Sequence, residues 1–310
     1  MGAPHKIKTD VKWITDASGN VVGYQNELGK LIRIPSFVVD EQSDKALGFS
    51  DKGSLISGLS SPHPRNWFHG WAPGQSTDSN VFRDMVSGND GIFGADLSKA
   101  NAWANKLKGY VSTVDPASGV TESVIRIPGP NYDYNGGQSL LLVWIGQATP
   151  EGSDTHLMGS SNSSSTGGMA VRLLSSGRLA FVLYGGGNSR YSSTTTDNAA
   201  GKPFVASELH QFAIFVNGQT KQQSMWVDTD INVDSATLSS GDPVDTLSSN
   251  TWNIGTATPS GGTVGAAVNT LSFSAYKFLS SDKLPSTAQI TAAIKAHYRD
   301  PSKPISAGAL

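Results

Sequence analysis

Ser207-Glu208-Leu209-His210-Gln211-Phe212-Ala213-Ile214-Phe215-Val216-Asn217-Gly218, continued by Gln219-Thr220-Lys221-Gln222-Gln223-Ser224-Met225-Trp226-Val227-Asp228, is the stretch on which the reading of this 310-residue chain turns. Phe212, Ile214 and Val216 alternate with Ala213 and Phe215, the pattern of a strand buried on at least one face. Asn217-Gly218 supplies residues that tolerate φ > 0 and so can reverse a chain tightly. Met225 and Val227 begin a returning strand, with Trp226 on its other face. The segment reads as a β-hairpin.

Working outward, the neighbouring segments carry the same two-residue rhythm. Upstream, Leu140-Leu141-Leu142-Val143-Trp144-Ile145 is a short apolar run that stops at Gly146. Met169 to Leu174 and Arg178 to Tyr184 flank the turn Ser175-Ser176-Gly177. Downstream lie Thr251-Trp252-Asn253-Ile254-Gly255 and Leu271 to Phe278. Trp144, Trp226 and Trp252 sit inside apolar strand patterns and read as core. The ordered set resembles the laminin-G-like or concanavalin A-like jelly roll over roughly residues 66 to 300. The run Asn80-Val81-Phe82-Arg83-Asp84-Met85-Val86-Ser87-Gly88-Asn89-Asp90-Gly91 is similar to that family's opening motif. The resemblance implies an all-β, concanavalin A-like antiparallel β-sandwich (jelly roll). It leaves function open, because this fold hosts lectins, adhesins, glycanases and purely structural modules.

Composition agrees. A domain of this size buries on the order of 75% of its surface, and the 34 glycines signal many turns. Only 15% of residues are charged and the net charge is −2, which leaves no broad basic surface for nucleic acid or acidic lipid. The absence of cysteine excludes disulfides and thiolate metal sites and favours folding in a reducing cytosol. The start, Met1-Gly2-Ala3-Pro4-His5-Lys6-Ile7-Lys8, has no apolar core of a signal peptide and no Ser or Thr at position 6 for myristoylation. No run reaches ~18 apolar residues, so no membrane insertion is expected.

Three parts are expected, with a short tail. Residues 1–40 read as a small β arm: Val11 to Thr15, Val21 to Gln25 and Leu31 to Pro35 are strands separated by Asp16-Ala17-Ser18-Gly19-Asn20 and Asn26-Glu27-Leu28-Gly29. Such a meander is marginal alone. Residues 41–65 read as a polar linker, 66–300 as the jelly roll and 301–310 as a loose tail. Within the jelly roll, Ser98 to Lys108 is expected to form a short helix with Ala102 and Trp103 inward. A second helix opens at Pro285-Ser286-Thr287, places Ile290, Ile294 and Tyr298 on one face, and closes at Asp300-Pro301.

The arm carries a further resemblance. Trp13 to Tyr24, followed by Ile32-Arg33-Ile34-Pro35, is similar to N-terminal segments of bacteriophage tail-fibre and related virion proteins, and Tyr110 to Pro116, with Arg126-Ile127-Pro128 and Asn131-Tyr132-Asp133-Tyr134, resembles the same group. This implies a virion component made in the host cytoplasm. Trp13, Ile14, Tyr24, Ile32 and Ile34 would then serve virion attachment or oligomerisation. The arm's open β-edges, costly to leave unpaired, also point to self-association, as a homotrimer. Two roles stand: a tail-fibre or adhesin-like appendage whose jelly roll binds host surface polysaccharide, and a capsid decoration or head-fibre protein. The second is motivated by the lack of a long shaft.

Chemistry is sparse. Glycanases of this fold set three acids two apart on one strand, aimed into one cleft. The comparable run is Asp228-Thr229-Asp230-Ile231-Asn232-Val233-Asp234, which has no Glu. Asp228, Asp230, Asn232 and Asp234 also offer alternating hard oxygens of the kind that suit Ca²⁺, although Val233 and Ser239 break the EF-hand pattern, and Asp and Asn are equally good turn residues. Asp84, Asn89 and Asp90 are a second such group. No Gly-x-Ser-x-Gly elbow occurs, Gly185-Gly186-Gly187 lacks a following Lys-Ser or Lys-Thr, and His210 reads as core or rim packing. The chain is therefore expected to be a non-enzymatic protein without an obligate cofactor. Carbohydrate binding needs exposed aromatic faces with fixed polar groups, and Trp71, Tyr132, Tyr134, Tyr184 and Tyr191 are the candidates.

Overall fold

The computed structural model describes residues 12–15, 21–25, 31–33, 65–75, 79–94, 97–103, 109–113, 124–128, 132–134, 136–148, 155–160, 168–185, 188–191, 208–228, 230–237, 251–256, 267–306 and 309–310. The chain divides into two units, Met1–Pro62 and His63–Leu310.

In the first unit, β1 (Lys12–Thr15), β2 (Val21–Gln25) and β3 (Leu31–Arg33) form an antiparallel meander in that order. The expected three strands are present. Trp13 pairs with Tyr24 and Tyr24 with Ile32, so these three share one cross-strand row, while Ile14 pairs with Gly23. Ile34 and the expected linker up to residue 64 lie outside the described residues.

The second unit begins with β4 (Asn66–Trp71), β5 (Val81–Phe82) and β6 (Gly91–Phe93), then the single turn α1 (Lys99–Ala102). Next come β7 (Val111–Ser112), β8 (Ile125–Ile127), β9 (Ser139–Ala148), β10 (Thr155–Gly159), β11 (Gly168–Leu173), β12 (Leu179–Gly185) and β13 (Asn188–Tyr191). The unit closes with β14 (His210–Asn217), β15 (Gln222–Val227), β16 (Asp230–Thr237), β17 (Trp252–Ile254), β18 (Val268–Phe278) and α2 (Thr287–Arg299). Among the described residues these strands make two antiparallel sheets. One has eight strands in the order β13-β12-β11-β10-β17-β8-β6-β5. The other has seven, β16-β15-β14-β9-β18-β4 with β7 beside β18. The fold is the expected all-β, antiparallel β-sandwich.

Alternation explains the layers. Leu140, Leu142, Trp144, Phe212, Ile214, Val216, Met225 and Phe273 of the seven-stranded sheet share one core with Ile125, Val171, Phe181 and Ile254 of the other. The residues between them face outward, yet Leu141, Val143, Ala213, Phe215, Trp226 and Tyr276 are also buried, because Ile290, Ala293 and Ile294 of α2 cover them. The strand quoted at the outset is thus buried on both faces. Each large side chain so placed contributes roughly 1.5–3 kcal/mol of burial. Ser286, where the helix is expected to open, is its N-cap and forms a capping box: its hydroxyl accepts from Gln289 N, and Gln289 returns its side chain to the Ser286 backbone, an arrangement worth about 1 kcal/mol. Ala102 at the end of α1 and Trp103 just after it are buried as expected.

Three expectations are corrected. The β14–β15 connection is not a two-residue Asn-Gly turn. Residues 218–221 form the loop, Asn217 Oδ1 accepts from Gln219 N and Thr220 N, and the left-handed residue is Lys221 at φ 59°. Gly218 is needed for space, since a Cβ there would meet Gln138 O at 1.9 Å. The tail is not loose: Ile305 is buried and its N–H donates to the Tyr276 hydroxyl. On α2 it is His297 that completes the buried stripe, and Tyr298 lies half-buried at its margin.

Candidate functional site

The outer face of the seven-stranded sheet changes character where α2 ends. Beneath the helix it is largely apolar, with His69 and Ser274 as polar exceptions. Beyond it, two cross-strand rows are polar. In one, Trp71 of β4 pairs with Ser272 of β18, Ser272 with Ile145 of β9, and Ile145 with Gln211 of β14. In the next, Ser112 of β7 pairs with Asn269, and Asn269 with Gln147. Their sequence neighbours Val111, Val268 and Ala148 point into the shared core, so period-two alternation turns these side chains outward.

The row of amides is bonded. Ser112 Oγ donates to Asn269 Oδ1 at 2.5 Å, and Asn269 Nδ2 donates to Gln147 Oε1 at 3.3 Å. The row with Trp71 is not fully satisfied. Gln211 donates its Nε2 to the Ile294 carbonyl at 3.3 Å, but its Oε1 and the Ser272 hydroxyl are both buried without a hydrogen-bond partner. Buried polar atoms are rarely left so, and each costs about 1–3 kcal/mol.

Three half-buried aromatics and one carboxylate stand around this floor. Trp71 sits at the end of β4, Tyr110 precedes β7, and Tyr298 comes from the last turn of α2. The Tyr298 hydroxyl donates to the Leu209 carbonyl at 3.4 Å. Burial, the Asp228 charge and Tyr110 together hold this phenol above its ordinary value, and burial does the same for Tyr110. Asp228 terminates β15 in a left-handed conformation, φ 51°, an arrangement uncommon for a residue with a side chain though best tolerated by Asp and Asn. It is held there by Asp228 N donating to Gln211 O (2.9 Å), Gln211 N donating to Asp228 Oδ1 (3.3 Å), and His210 Nδ1 at 3.0 Å from Oδ2. His210 is buried, whereas the Asp228 side chain keeps 31% of its exposure. The histidine therefore positions a carboxylate that still faces solvent.

The sequence candidates scatter. Trp71 belongs to this face. Tyr132 is a correction: it is fully buried in the core and offers no face to a ligand, and burial pushes its phenol well up. Tyr134 is a second correction. It is 8% exposed, burial pushes its phenol up to about 12, and the Lys221 ammonium lies 4.0 Å over its ring. Tyr184 and Tyr191 fall on β12 and β13 of the other sheet, opposite Ser189 and Val182, and their side chains lie outside the described residues. Asp230, Asn232 and Asp234 lie along β16, past the turn at Asp228, and their side chains are likewise outside the described residues. Asp84 is a fold organiser: it accepts from the backbone N–H groups of His69, Val86, Ser87 and Asn89, and Asp90 Oδ1 accepts from Asp84 N. Those bonds occupy the carboxylate that a cation would need. Among the described residues no group of three or more His, Asp or Glu is placed to hold a metal ion.

Sequence reading missed Tyr110, Gln147, Asn269, Ser272 and Tyr298. Only Tyr298 left a signal. His297 beside it completes the buried stripe from Ile290 and Ile294 equally well, which frees the tyrosine for the margin.

No family model matches the chain, and no curated protein matches it. Among solved structures, Trypanosoma rangeli sialidase in complex with 2,3-difluoro-KDN is 14% identical with a TM-score of 0.51, over 78% of this chain and 34% of that chain. The same sialidase with 2,3-difluorosialic acid as a covalent intermediate is 12% identical with a TM-score of 0.51, over 78% and 34%. The botulinum neurotoxin serotype D binding domain is 12% identical with a TM-score of 0.49, over 77% and 52%. This chain spans about a third of the sialidase chains it matches. At such identities the likeness to the sialidase extends to the antiparallel β-sandwich and no further.

Proposed function

We propose that this chain is a non-catalytic binding module, a virion appendage of the tail-fibre or adhesin kind, whose sandwich engages surface glycan on the outer face of its seven-stranded sheet. The observation that carries the reading is the grouping of Trp71, Tyr110 and Tyr298 around a polar floor with an oriented, half-open carboxylate, Asp228. Aromatic faces accept the C–H side of a sugar ring, and fixed amides and a carboxylate take its hydroxyls. The half-buried amides of Asn269 and Gln147 supply further polar groups. The appendage half of the reading is supported by the similarity of the Trp13–Tyr24 segment to virion-protein arms and by its folding as a separate three-stranded unit. Among the described residues β1 and β3 are the edges of that sheet, and edge strands suit pairing within a trimer.

A glycan array and adsorption to bacterial cells, both with the full-length chain, test the binding half. Saturable binding is expected, and no binding at high protein concentration overturns it. Cryo-electron imaging of particles tests the rest: density at the tail supports the appendage, and density spread over the capsid favours the decoration protein.

A further inference from the structure

We infer that the face bounded by Trp71, Tyr110, Tyr298 and Asp228 selects uncharged, hydroxyl-rich sugars and rejects acidic ones such as sialic or uronic acids; this rests on the glycan-binding reading above.

The oriented groups that this face offers to sugar hydroxyls are the Asp228 carboxylate, the Leu209 carbonyl that already receives the Tyr298 hydroxyl, and the neutral amides of the bonded pair Asn269 and Gln147. A carboxylate accepts from neighbouring hydroxyls of a neutral sugar with charge-assisted strength. The same carboxylate meets the carboxylate of an acidic sugar as a like charge. Asp228 cannot swing away, because His210 and the Gln211 backbone N–H both hold it. Glu208, two residues before His210, is exposed and screened by solvent. The cations of the adjoining helix turn, Lys295 and Arg299, are exposed and screened by solvent. The Asp228 charge bears on the Tyr298 phenol and, after burial, helps to raise it. Selection against acidic ligands is therefore built into the strained turn that ends β15.

The test is calorimetry on the full-length chain with matched pairs from the array, namely neutral oligosaccharides and the same cores bearing sialic or uronic acid. Neutral members are expected to bind on the order of tenfold more tightly at low ionic strength. The preference should shrink as salt is raised, because screening weakens repulsion between exposed charges; this arm needs no variant. Asp228→Asn should narrow the gap in the same direction. Acidic sugars bound as tightly as neutral ones, or a preference indifferent to both salt and Asp228→Asn, overturns the selectivity and leaves the binding site standing. Binding of neither class overturns the glycan-binding reading itself.

Discussion

The two ends of the seven-stranded sheet use similar residues to opposite ends. At the β14–β15 hairpin, the polar groups of the loop are spent on the fold, although the Gln223 amide on β15 is buried without a partner. Gly218 N donates to Ser139 Oγ, Gln219 Nε2 donates to the carbonyls of Ser280 and Asp282, and Arg65 grips Asp282 through two bonds of 2.6 and 2.7 Å. Tyr134 is there too, but Lys221 covers its ring and donates to its carbonyl. At the other end, tyrosines of the same chemistry stand half-open beside a carboxylate that faces solvent. Residue type does not separate a structural tyrosine from a recognition one. What separates them is whether the groups around the ring have already found partners.

The largest expected effect concerns acid, and it acts on the helix that carries Tyr298. His69 and His297 are both buried between the sheet and α2, with ring centroids 5.8 Å apart. His69 Nδ1 meets Ser274 Oγ at 2.7 Å, His297 Nδ1 meets the Lys303 carbonyl at 2.9 Å, and His297 Nε2 has no partner. Burial, and then the neighbouring His297, pushes His69 down to about 3; burial pushes His297 down to about 4, with Lys303 and Asp300 opposing. Below about pH 6.5 the unfolded chain takes up protons that the folded chain refuses, so stability falls as pH falls. The loss reaches about 2 kcal/mol per histidine near pH 5. Denaturant titration across this window measures it, and His297→Leu should flatten the slope by roughly half. An equally steep slope in that variant would place the acid sensitivity elsewhere.

Gly218→Ala attacks the closed end. A Cβ 1.9 Å from Gln138 O forces the hairpin to move, at on the order of 2–3 kcal/mol; urea unfolding reads the cost, and glycan affinity should be unchanged. Tyr298→Ala attacks the open end. It should weaken glycan binding by about tenfold or more while the thermal midpoint moves little. Lys221→Ala is the smallest. It removes a cation–π contact worth about 0.5–1 kcal/mol and should leave binding alone. Binding lost in Lys221→Ala and kept in Tyr298→Ala would reverse the assignment of the two ends.

Burial periodicity made the sandwich legible. Phe212, Ile214, Val216, Met225 and Val227 lie on the core face as their spacing requires, and Trp144, Trp226 and Trp252 are buried. The turn chemistry was less legible, because Asn217-Gly218 fits a two-residue turn locally while the approach of Gln138 O, a long-range fact, decides why glycine is there. The candidate face was least legible. Trp71, Ser112, Gln147, Gln211, Asn269 and Ser272 come from four strands beside the short β7, and only the pairing register gathers them. Tyr132 looked favourable for the opposite reason, since flanking Asn and Asp suggest exposure and its burial is set by strands distant in sequence.

The most direct test follows tyrosine and tryptophan ring resonances by NMR in the full-length chain while a glycan found on the array is added. Shifts are expected to be confined to Tyr110, Tyr298 and Trp71, with Tyr132 and Tyr134 unmoved. Shifts at Tyr134, or saturation of binding with Tyr110 and Tyr298 unperturbed, would contradict it.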